Sequence, residues 1–307
     1  MATSEASRAG GATQESAARW RLTALTALGP VVWGTTYINT TEFLPPDRPL
    51  LTGMLRALPV GLLVLAFTRT LPRGIWWWRA AVLGALNIGV FFALLFVAAY
   101  RLPGGVAATL GAAQPLLVAG LALVLLRERP TLWRLGWGFA AIAGIAMMVL
   151  RGNAAFDPVG IAAGLAGTAA MAAGVVLTRK WGRPVGLMAF TGWQLTAGGL
   201  ILLPLVFLEG PLPAFDLRAV GGYLWLGLIG TLLAYALWFR GLQRLPVAAA
   251  SFLPLLSPAV ATAIGWIVLG EALTPLQSVG FALALVSIAA AQVAPEQLLT
   301  RRRQPAR

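Results

Sequence analysis

Arg56 is a charged residue well inside an apolar run, about 9 Å from the start of that run at Leu50 if the run is helical, at about 1.5 Å per residue. An ionisable side chain in such a place is a functional candidate by default, and a guanidinium there would hold an anionic group such as a carboxylate. The alternative is that the long side chain extends to the nearest interface or binds carbonyls at a helix end. The sequence leaves both interpretations of Arg56 open.

Neutral polar and aromatic residues inside other apolar runs are further candidates for contact with a solute. Amide and aromatic side chains in the middle of a run are hard to place against lipid, although many Tyr and Trp residues anchor helices at the interface instead. A cavity with aromatic faces, neutral amides and one Arg suits a neutral or zwitterionic amphipathic solute. With Arg56, the predicted substrate-binding residues are Trp33, Thr36, Asn39, Asn87, Gln114, Gln194, Tyr235, Trp238 and Ser257.

Two prolines lie in the middle of apolar runs, Pro115 directly after Gln114 and Pro258 directly after Ser257. Each proline removes one helical hydrogen bond and frees a carbonyl that needs another partner. The prolines are either packing kinks or hinges that widen a cavity and move its gates. We predict hinges at Pro115 and Pro258.

Several residue types that enzymes use are missing from this chain. It has no Cys and no His, which removes thiolate chemistry, disulfides and the commonest general base and metal ligand. No Asp or Glu lies in the middle of an apolar run, and Glu128 and Glu271 lie at run ends, where capping or ion pairing is the simpler role and ion coupling the alternative. We therefore predict no enzyme activity, no catalytic residue, no cofactor and no bound metal.

The composition predicts a membrane protein. The 307 residues are 59% hydrophobic and 11% charged, with a mean hydropathy of +0.80, and a soluble globule cannot bury that much apolar surface. A hydrocarbon core about 30 Å thick needs roughly 20 apolar residues as a helix. Ten runs have this length: 22–40, 50–67, 80–100, 104–126, 132–150, 159–178, 186–208, 219–239, 247–270 and 276–294. We predict an all-α membrane protein with ten transmembrane helices.

The second half of the chain repeats the first at an offset of 143 residues. Without a gap, residues 101–103 and 244–246 are both Arg-Leu-Pro, and Pro115 matches Pro258. The predicted units are a five-helix repeat over 22–150 and a second one over 151–294. Because five is odd, the second repeat enters the membrane from the opposite face, and such inverted repeats are typical of secondary transporters that work by alternating access.

The basic residues predict the orientation. If the N-terminus is cytoplasmic, 18 of the 23 basic residues lie on the cytoplasmic side and 4 on the other, an asymmetry that favours both termini inside. Residues 1–21 are predicted to be a disordered cytoplasmic tail, with a cleaved signal peptide as the alternative, and 295–307 a basic cytoplasmic tail. The net charge of +13 follows this membrane pattern, so no nucleic-acid partner is expected.

Both repeats resemble the EamA-like branch of the drug/metabolite transporter superfamily. The resemblance rests on Trp33-Gly34, Arg56, the Arg-Leu-Pro run at 101–103, the two mid-run prolines and the Leu-Gly-Glu-Ala-Leu-Thr stretch at 269–274. It implies a ten-helix transporter with a central cavity that moves metabolites, amino acids or drugs, usually outward. The chain departs from the family pattern at Thr41, at Met171-Ala172 and at Arg127-Glu128-Arg129.

The resulting hypothesis is a multi-pass secondary transporter of the inner membrane that exports small metabolites or amino-acid-like solutes by alternating access. Its expected partners are a small-molecule solute and membrane lipid, and it is expected to be a monomer or a homodimer. The alternatives are a membrane scaffold or sensory subunit without transport activity, and a lipid-linked-sugar flippase.

Overall fold

The computed structural model describes residues 2–102, 110–111, 113–149, 157–269 and 274–292. Over these residues the regular structure is entirely helical. In the first half the α-helices are α1 (Ala2–Trp33), α2 (Thr36–Phe43), α3 (Pro49–Thr68), α4 (Trp76–Gly84), α5 (Val90–Arg101), α6 (Gln114–Leu126) and α7 (Leu132–Val149). In the second half they are α8 (Pro158–Trp181), α9 (Leu187–Val206), α10 (Leu217–Leu224), α11 (Ala234–Arg244), α12 (Val247–Ala250), α13 (Leu256–Leu269) and α14 (Pro275–Gln292).

Four of these helices are joined in pairs by wider, π-helical segments. Ala85–Gly89 joins α4 to α5, and Trp225–Leu233 joins α10 to α11. The two segments lie at corresponding places of the two sequence repeats. Each keeps its run continuous across the membrane while changing the direction in which the following side chains point.

Three predicted helices are interrupted. The first run is broken at Gly34 and Thr35, between α1 and α2. In the ninth run, α12 is followed by a 3₁₀ turn over Leu253–Leu255 before α13 begins, and in the fourth run the helix that contains Pro115 begins at Gln114. The two predicted hinge prolines therefore lie in first turns, where a missing N–H would have had no intrahelical partner, and not inside a continuous helix.

Residues 2–21 belong to α1, where the sequence had predicted a disordered tail. Ala, Glu, Gln and Arg favour helix, and no proline precedes Pro30, so the segment can continue the helix that follows it. The predicted tail at 295–307 lies outside the described residues.

Five helical segments within the described ranges are long and apolar enough to cross a bilayer: Pro49–Thr68, Trp76–Arg101, Pro158–Trp181, Leu187–Glu209 and Leu217–Arg244. Three shorter helices are also apolar, Gln114–Leu126, Leu132–Met147 and Pro275–Ala291. The chain is thus a helical, multi-pass membrane protein. The count of ten spans stays a prediction.

The main helix-packing contacts occur in matching pairs, one for each repeat. α3 packs on α9, and α7 packs on α14. α5 and α6 both pack on α8, just as α11 and α13 both pack on α1. Each pairing is preserved when a helix is replaced by its counterpart in the other repeat.

Polar contacts join the helix ends into two groups at opposite ends of the molecule. At the first end, which we call the Arg101 face, Arg101 pairs with Asp157 at 3.0 Å and the Glu209 carboxylate accepts the backbone N–H of Leu50 at 2.5 Å. The Arg101 hydrogen bond and the N–H groups that open α8 lower the pKa of Asp157, so this carboxylate stays charged. At the second end, the Trp76 face, the Trp193 indole donates to the Thr70 carbonyl at 2.7 Å.

Glycines allow α3 and α9 to approach closely. A Cβ on Gly199 would lie 2.6 Å from Leu58 Cβ and 2.8 Å from Leu58 N, so the backbones themselves would have to separate. We expect Gly199→Ala to lower the melting temperature and the yield of monodisperse protein, since overpacking costs about 1–3 kcal/mol. The matched control is Gly120→Ala on α6, where a Cβ meets nothing within 4 Å. Equal melting temperatures for the two variants would contradict this account of the α3–α9 contact.

Candidate functional site

A cavity of about 240 Å³ lies between the two halves of the molecule. It is lined by residues from α2, α3, α5, α8 and α11, by the first turns of α6 and α13 with the residues just before them, and by the last residue of α1. The cavity extends toward the Arg101 face, because Thr40 near the end of α2 and Tyr100 near the end of α5 line it.

The break between α1 and α2 brings Trp33, Thr36 and Thr40 to the cavity. Gly34 makes this possible, since a Cβ there would lie 2.6 Å from Val260 Cβ and 2.8 Å from the Ser257 carbonyl oxygen. The chain therefore turns against the start of α13, and the side chains on either side of the turn face the space between the halves.

Arg56 is held by neutral groups at the edge of this cavity. Its side chain is 2% exposed, its Nε donates to Thr231 Oγ1 at 2.8 Å and its Nη2 donates to the Gly230 carbonyl at 3.0 Å. The guanidinium carbon lies 4.7 Å from the centre of the Phe92 ring. Both acceptors belong to the π-helical segment 225–233, so Arg56 is fixed in one place and does not extend to an interface.

Aromatic rings form the wall of the cavity next to Arg56. Trp33 packs on Tyr235 with ring centres 5.0 Å apart, and Phe92 packs edge-on against Tyr235 at 6.0 Å. The Trp33 indole N–H donates to the Gly230 carbonyl at 3.0 Å, which is the carbonyl that Arg56 also uses. The wall thus offers aromatic faces, which attract apolar and cationic groups, beside a fixed positive charge, which attracts an anionic group.

Gln114 and Ser257 line the cavity at the two helix starts that the prolines define. The Gln114 side chain is 6% exposed, and its Nε2 has no hydrogen-bond partner among the described residues. A buried amide without a partner costs about 1–3 kcal/mol, which a ligand oxygen would recover. Pro258 lines the same cavity, while Pro115 is buried behind Gln114.

Four predicted site residues lie elsewhere. Asn39 donates to the Gly222 carbonyl at 3.0 Å and lines a separate groove. Asn87 and Gln194 are fully buried and bind each other at 2.8 Å, outside the cavity, and Trp238 packs against Trp33 with ring centres 5.7 Å apart, fully buried behind the wall. The structure therefore brings together Trp33, Thr36, Arg56, Gln114, Tyr235 and Ser257.

Some cavity residues had no place in the sequence prediction. Thr168 on α8 lines the cavity together with Gly164 and Gly167, and the sequence signal for it was the run of small residues on that helix. Those glycines also allow close packing, since a Cβ on Gly167 would lie 3.2 Å from Leu94 Cβ of α5. The sequence did not indicate Phe91, Phe92 and Phe96, because a Phe in an apolar run can face either lipid or a cavity.

Comparison with known proteins places this architecture in a family. The model of the EamA-like transporter family matches residues 21–150 and 158–291, one match for each repeat. The chain belongs to the EamA-like transporter family. It is 47% identical over 254 residues to Protein PecM of Dickeya dadantii (strain 3937), covering 82% of this chain and 85% of that protein.

Other comparisons agree with this membership. The EamA-like transporter is 30% identical over 231 residues to a protein of Streptantibioticus cattleyicolor named a probable terminal-alkyne amino-acid exporter, covering 73% of this chain and 75% of that one. A solved crystal structure superposes with a TM-score of 0.72 at 19% identity, over 89% of this chain and 98% of the other, and therefore shares the fold. The family and these relatives are transporters rather than enzymes.

Proposed function

We propose that this EamA-like transporter exports small, amino-acid-like solutes by alternating access, and that the cavity beside Arg56 is its solute site. The observation that carries the proposal is one buried guanidinium and one unsatisfied amide donor in the same cavity. Arg56 would bind the carboxylate of the solute, and Gln114 Nε2 would donate to an oxygen of the same solute.

The aromatic wall supports a zwitterionic or amphipathic solute. Trp33 and Tyr235 present aromatic rings near the guanidinium, and a ring face attracts an ammonium group or an apolar side chain, while the Phe92 ring is already covered by Arg56. Among the described residues that line the cavity, Arg56 is the one side chain with a fixed charge, so the second charge of a zwitterion would be met by rings and hydroxyls.

The size of the cavity supports a small solute. Its volume of about 240 Å³ is below the roughly 300–1,000 Å³ of sites that bury drug-sized ligands. The similarity to a named amino-acid exporter agrees with this size class. We therefore favour metabolites of amino-acid size over bulky drugs.

The matching helix contacts of the two repeats support alternating access. Every main helix pairing has its counterpart under exchange of the two repeats, as expected for inverted repeats whose halves swap conformations during transport. Here the cavity extends toward the Arg101 face, while buried side chains fill the region between it and the Trp76 face. In this proposal the Arg101 face is outside, and the helix starts at Pro115 and Pro258 are the hinges.

Single cysteines would test the orientation directly, because the chain has no native Cys. Leu212→Cys lies on the loop before α10 at the Arg101 face and is 63% exposed, and Arg183→Cys lies after α8 at the Trp76 face. We expect an impermeant maleimide added to intact cells to label position 212 at once and position 183 only after lysis. The reverse labelling pattern would contradict the proposed orientation in the membrane.

Solute flux in proteoliposomes would test the function itself. Vesicles that contain the purified chain and an unlabelled amino-acid panel should accumulate labelled solute by counterflow, and solutes without a carboxylate should give little signal. If no solute of the panel gives counterflow although the protein is folded, the scaffold or sensory alternative would be favoured. Flux of a long-chain lipid-linked sugar alone would favour the flippase alternative.

A further inference from the structure

A second cavity, the α2–α10 groove, has a volume of about 530 Å³. Ile38, Asn39 and Phe43 of α2 line one side, and Arg218, Gly221 and Trp225 line the other. The groove is separate from the solute cavity, which contacts other residues of α2, namely Thr36 and Thr40. The short helix α2 is therefore the wall between the two spaces.

The groove is on a lipid-facing side of the molecule. On α10 and the residue after it, Leu217 is 91% exposed, Leu224 56% and Trp225 44%. In a membrane-spanning helix pair such apolar exposure is matched by acyl chains. The groove extends from Arg218 to Trp225, about 10 Å along a helix at about 1.5 Å per residue, so it can accept a segment of an acyl chain.

The mouth of the groove carries one charge of each sign. The Arg218 guanidinium lies over the Phe43 ring, 5.1 Å from its centre, and Arg218 Nη2 is 3.7 Å from Glu42 Oε2. Both side chains are more than half exposed, at 59% and 54%. An ion pair this long and exposed is weak, so each group can exchange its partner for a ligand of opposite charge.

A glycine, Gly221, is among the residues that line the α10 side of the groove. A Cβ placed on Gly221 would meet nothing within 4 Å, so the space above it is open. The next glycine differs, since a Cβ on Gly222 would lie 2.8 Å from Leu44 Cδ2 and 2.9 Å from Phe43 Cβ. Gly222 brings the two helices together, and Gly221 leaves room beside that contact.

We propose that the α2–α10 groove binds a phosphatidylethanolamine, with an acyl chain along Gly221 and Trp225, the phosphate on Arg218 and the primary ammonium on Glu42. The paired charges favour this zwitterionic headgroup. A purely anionic lipid would satisfy Arg218 and be repelled by Glu42, and a quaternary ammonium cannot donate hydrogen bonds to a carboxylate. The bound chain would support α2 from the lipid side while the other side of α2 faces the solute.

Native mass spectrometry of the full chain released from detergent micelles would test this proposal. With equal amounts of phosphatidylethanolamine, phosphatidylcholine and phosphatidylglycerol, we expect one retained phosphatidylethanolamine. Arg218→Gln should lower its retention several-fold, and Gly221→Leu should abolish it by filling the groove. The controls are Arg183→Gln, an exposed cation at the Trp76 face, and Val220→Leu, an exposed residue of α10 that does not line the groove.

Three results would overturn the proposal: equal retention of the three lipids, preference for phosphatidylglycerol, or retention that neither Arg218→Gln nor Gly221→Leu changes. A dimer that forms in place of the lipid adduct would also overturn it and assign the groove to a second copy of the chain. Because the readout is lipid mass and not solute flux, failure here leaves the proposed transport function untouched. A single gel-filtration peak of Gly221→Leu at the elution volume of the unaltered protein would show that it is folded.

Discussion

Replacement of Arg56 by Gln is expected to lower counterflow of carboxylate-bearing solutes by roughly 10- to 100-fold, since a hydrogen bond to a charged group contributes about 1.5–3 kcal/mol. The guanidinium is held by Thr231 Oγ1 at 2.8 Å and by the Gly230 carbonyl at 3.0 Å, so its position is set before a solute arrives. Arg56→Lys would keep the charge but lose the planar fork, and it should retain part of the activity.

Arg56 also joins α3 to the π-helical segment 225–233, so a purely structural role must be separated from solute binding. The separating measurement compares a carboxylate solute with its uncharged amide in the same proteoliposomes. Loss confined to the carboxylate assigns Arg56 to solute recognition. Equal loss for both, together with a lower melting temperature, would assign it to helix packing alone. Gln114→Leu is the companion variant, because it removes a cavity donor that has no described protein partner.

Replacement of Asn87 by Ala is expected to open the Trp76 face. Asn87 Nδ2 donates to Gln194 Oε1 at 2.8 Å and to Thr178 Oγ1 at 3.2 Å, and all three side chains are fully buried. These bonds join the 85–89 segment to α8 and α9 on the closed side of the cavity. Loss of Asn87 leaves buried polar groups without partners, at about 1–3 kcal/mol, which shifts the population toward the opposite state by roughly 5- to 150-fold.

A cysteine at Val175 would report this shift. Val175 is fully buried on α8, next to Gly174, whose Cα is covered by the Asn87 amide. Maleimide added from the Trp76 side should label Val175→Cys slowly alone and much faster in combination with Asn87→Ala. The matched control is Thr191→Val on α9, because the Thr191 hydroxyl is buried without a hydrogen-bond partner in the described part of the chain. Unchanged labelling in the Asn87→Ala background would remove this cluster from the gating mechanism.

Asn87 and Gln194 show how far the position of a polar residue in an apolar run can predict its role. Both residues had been predicted to bind solute because amide side chains in the middle of an apolar run are hard to place against lipid. The structure supplies those partners from each other, in the closed part of the protein. Alternating access would bring them to the solute only when the Trp76 face opens. Their predicted contact with solute therefore depends on a state that differs from the one described here.

Family membership and the helical, multi-pass architecture were determined by the sequence itself. Apolar runs of sufficient length must become helices in lipid, since every backbone polar group there needs an internal partner. The repeat at an offset of 143 residues needs no coordinates either, and the family model matches each copy separately. A tail was predicted over residues 1–21, and residues 2–21 lie in α1, since low hydropathy does not prevent a helix from continuing.

Only the tertiary structure decided which polar side chains share a space. Trp33 and Asn39 belong to one predicted helix, yet the break at Gly34 and Thr35 sends Trp33 to the solute cavity and Asn39 to the lipid-facing groove. The π-helical segments likewise redirect Gly230 and Thr231 toward Arg56. Composition determines that a run spans the bilayer. The direction of each side chain depends on local breaks in the helix and on the neighbouring helix. Neither can be predicted from an apolar run alone.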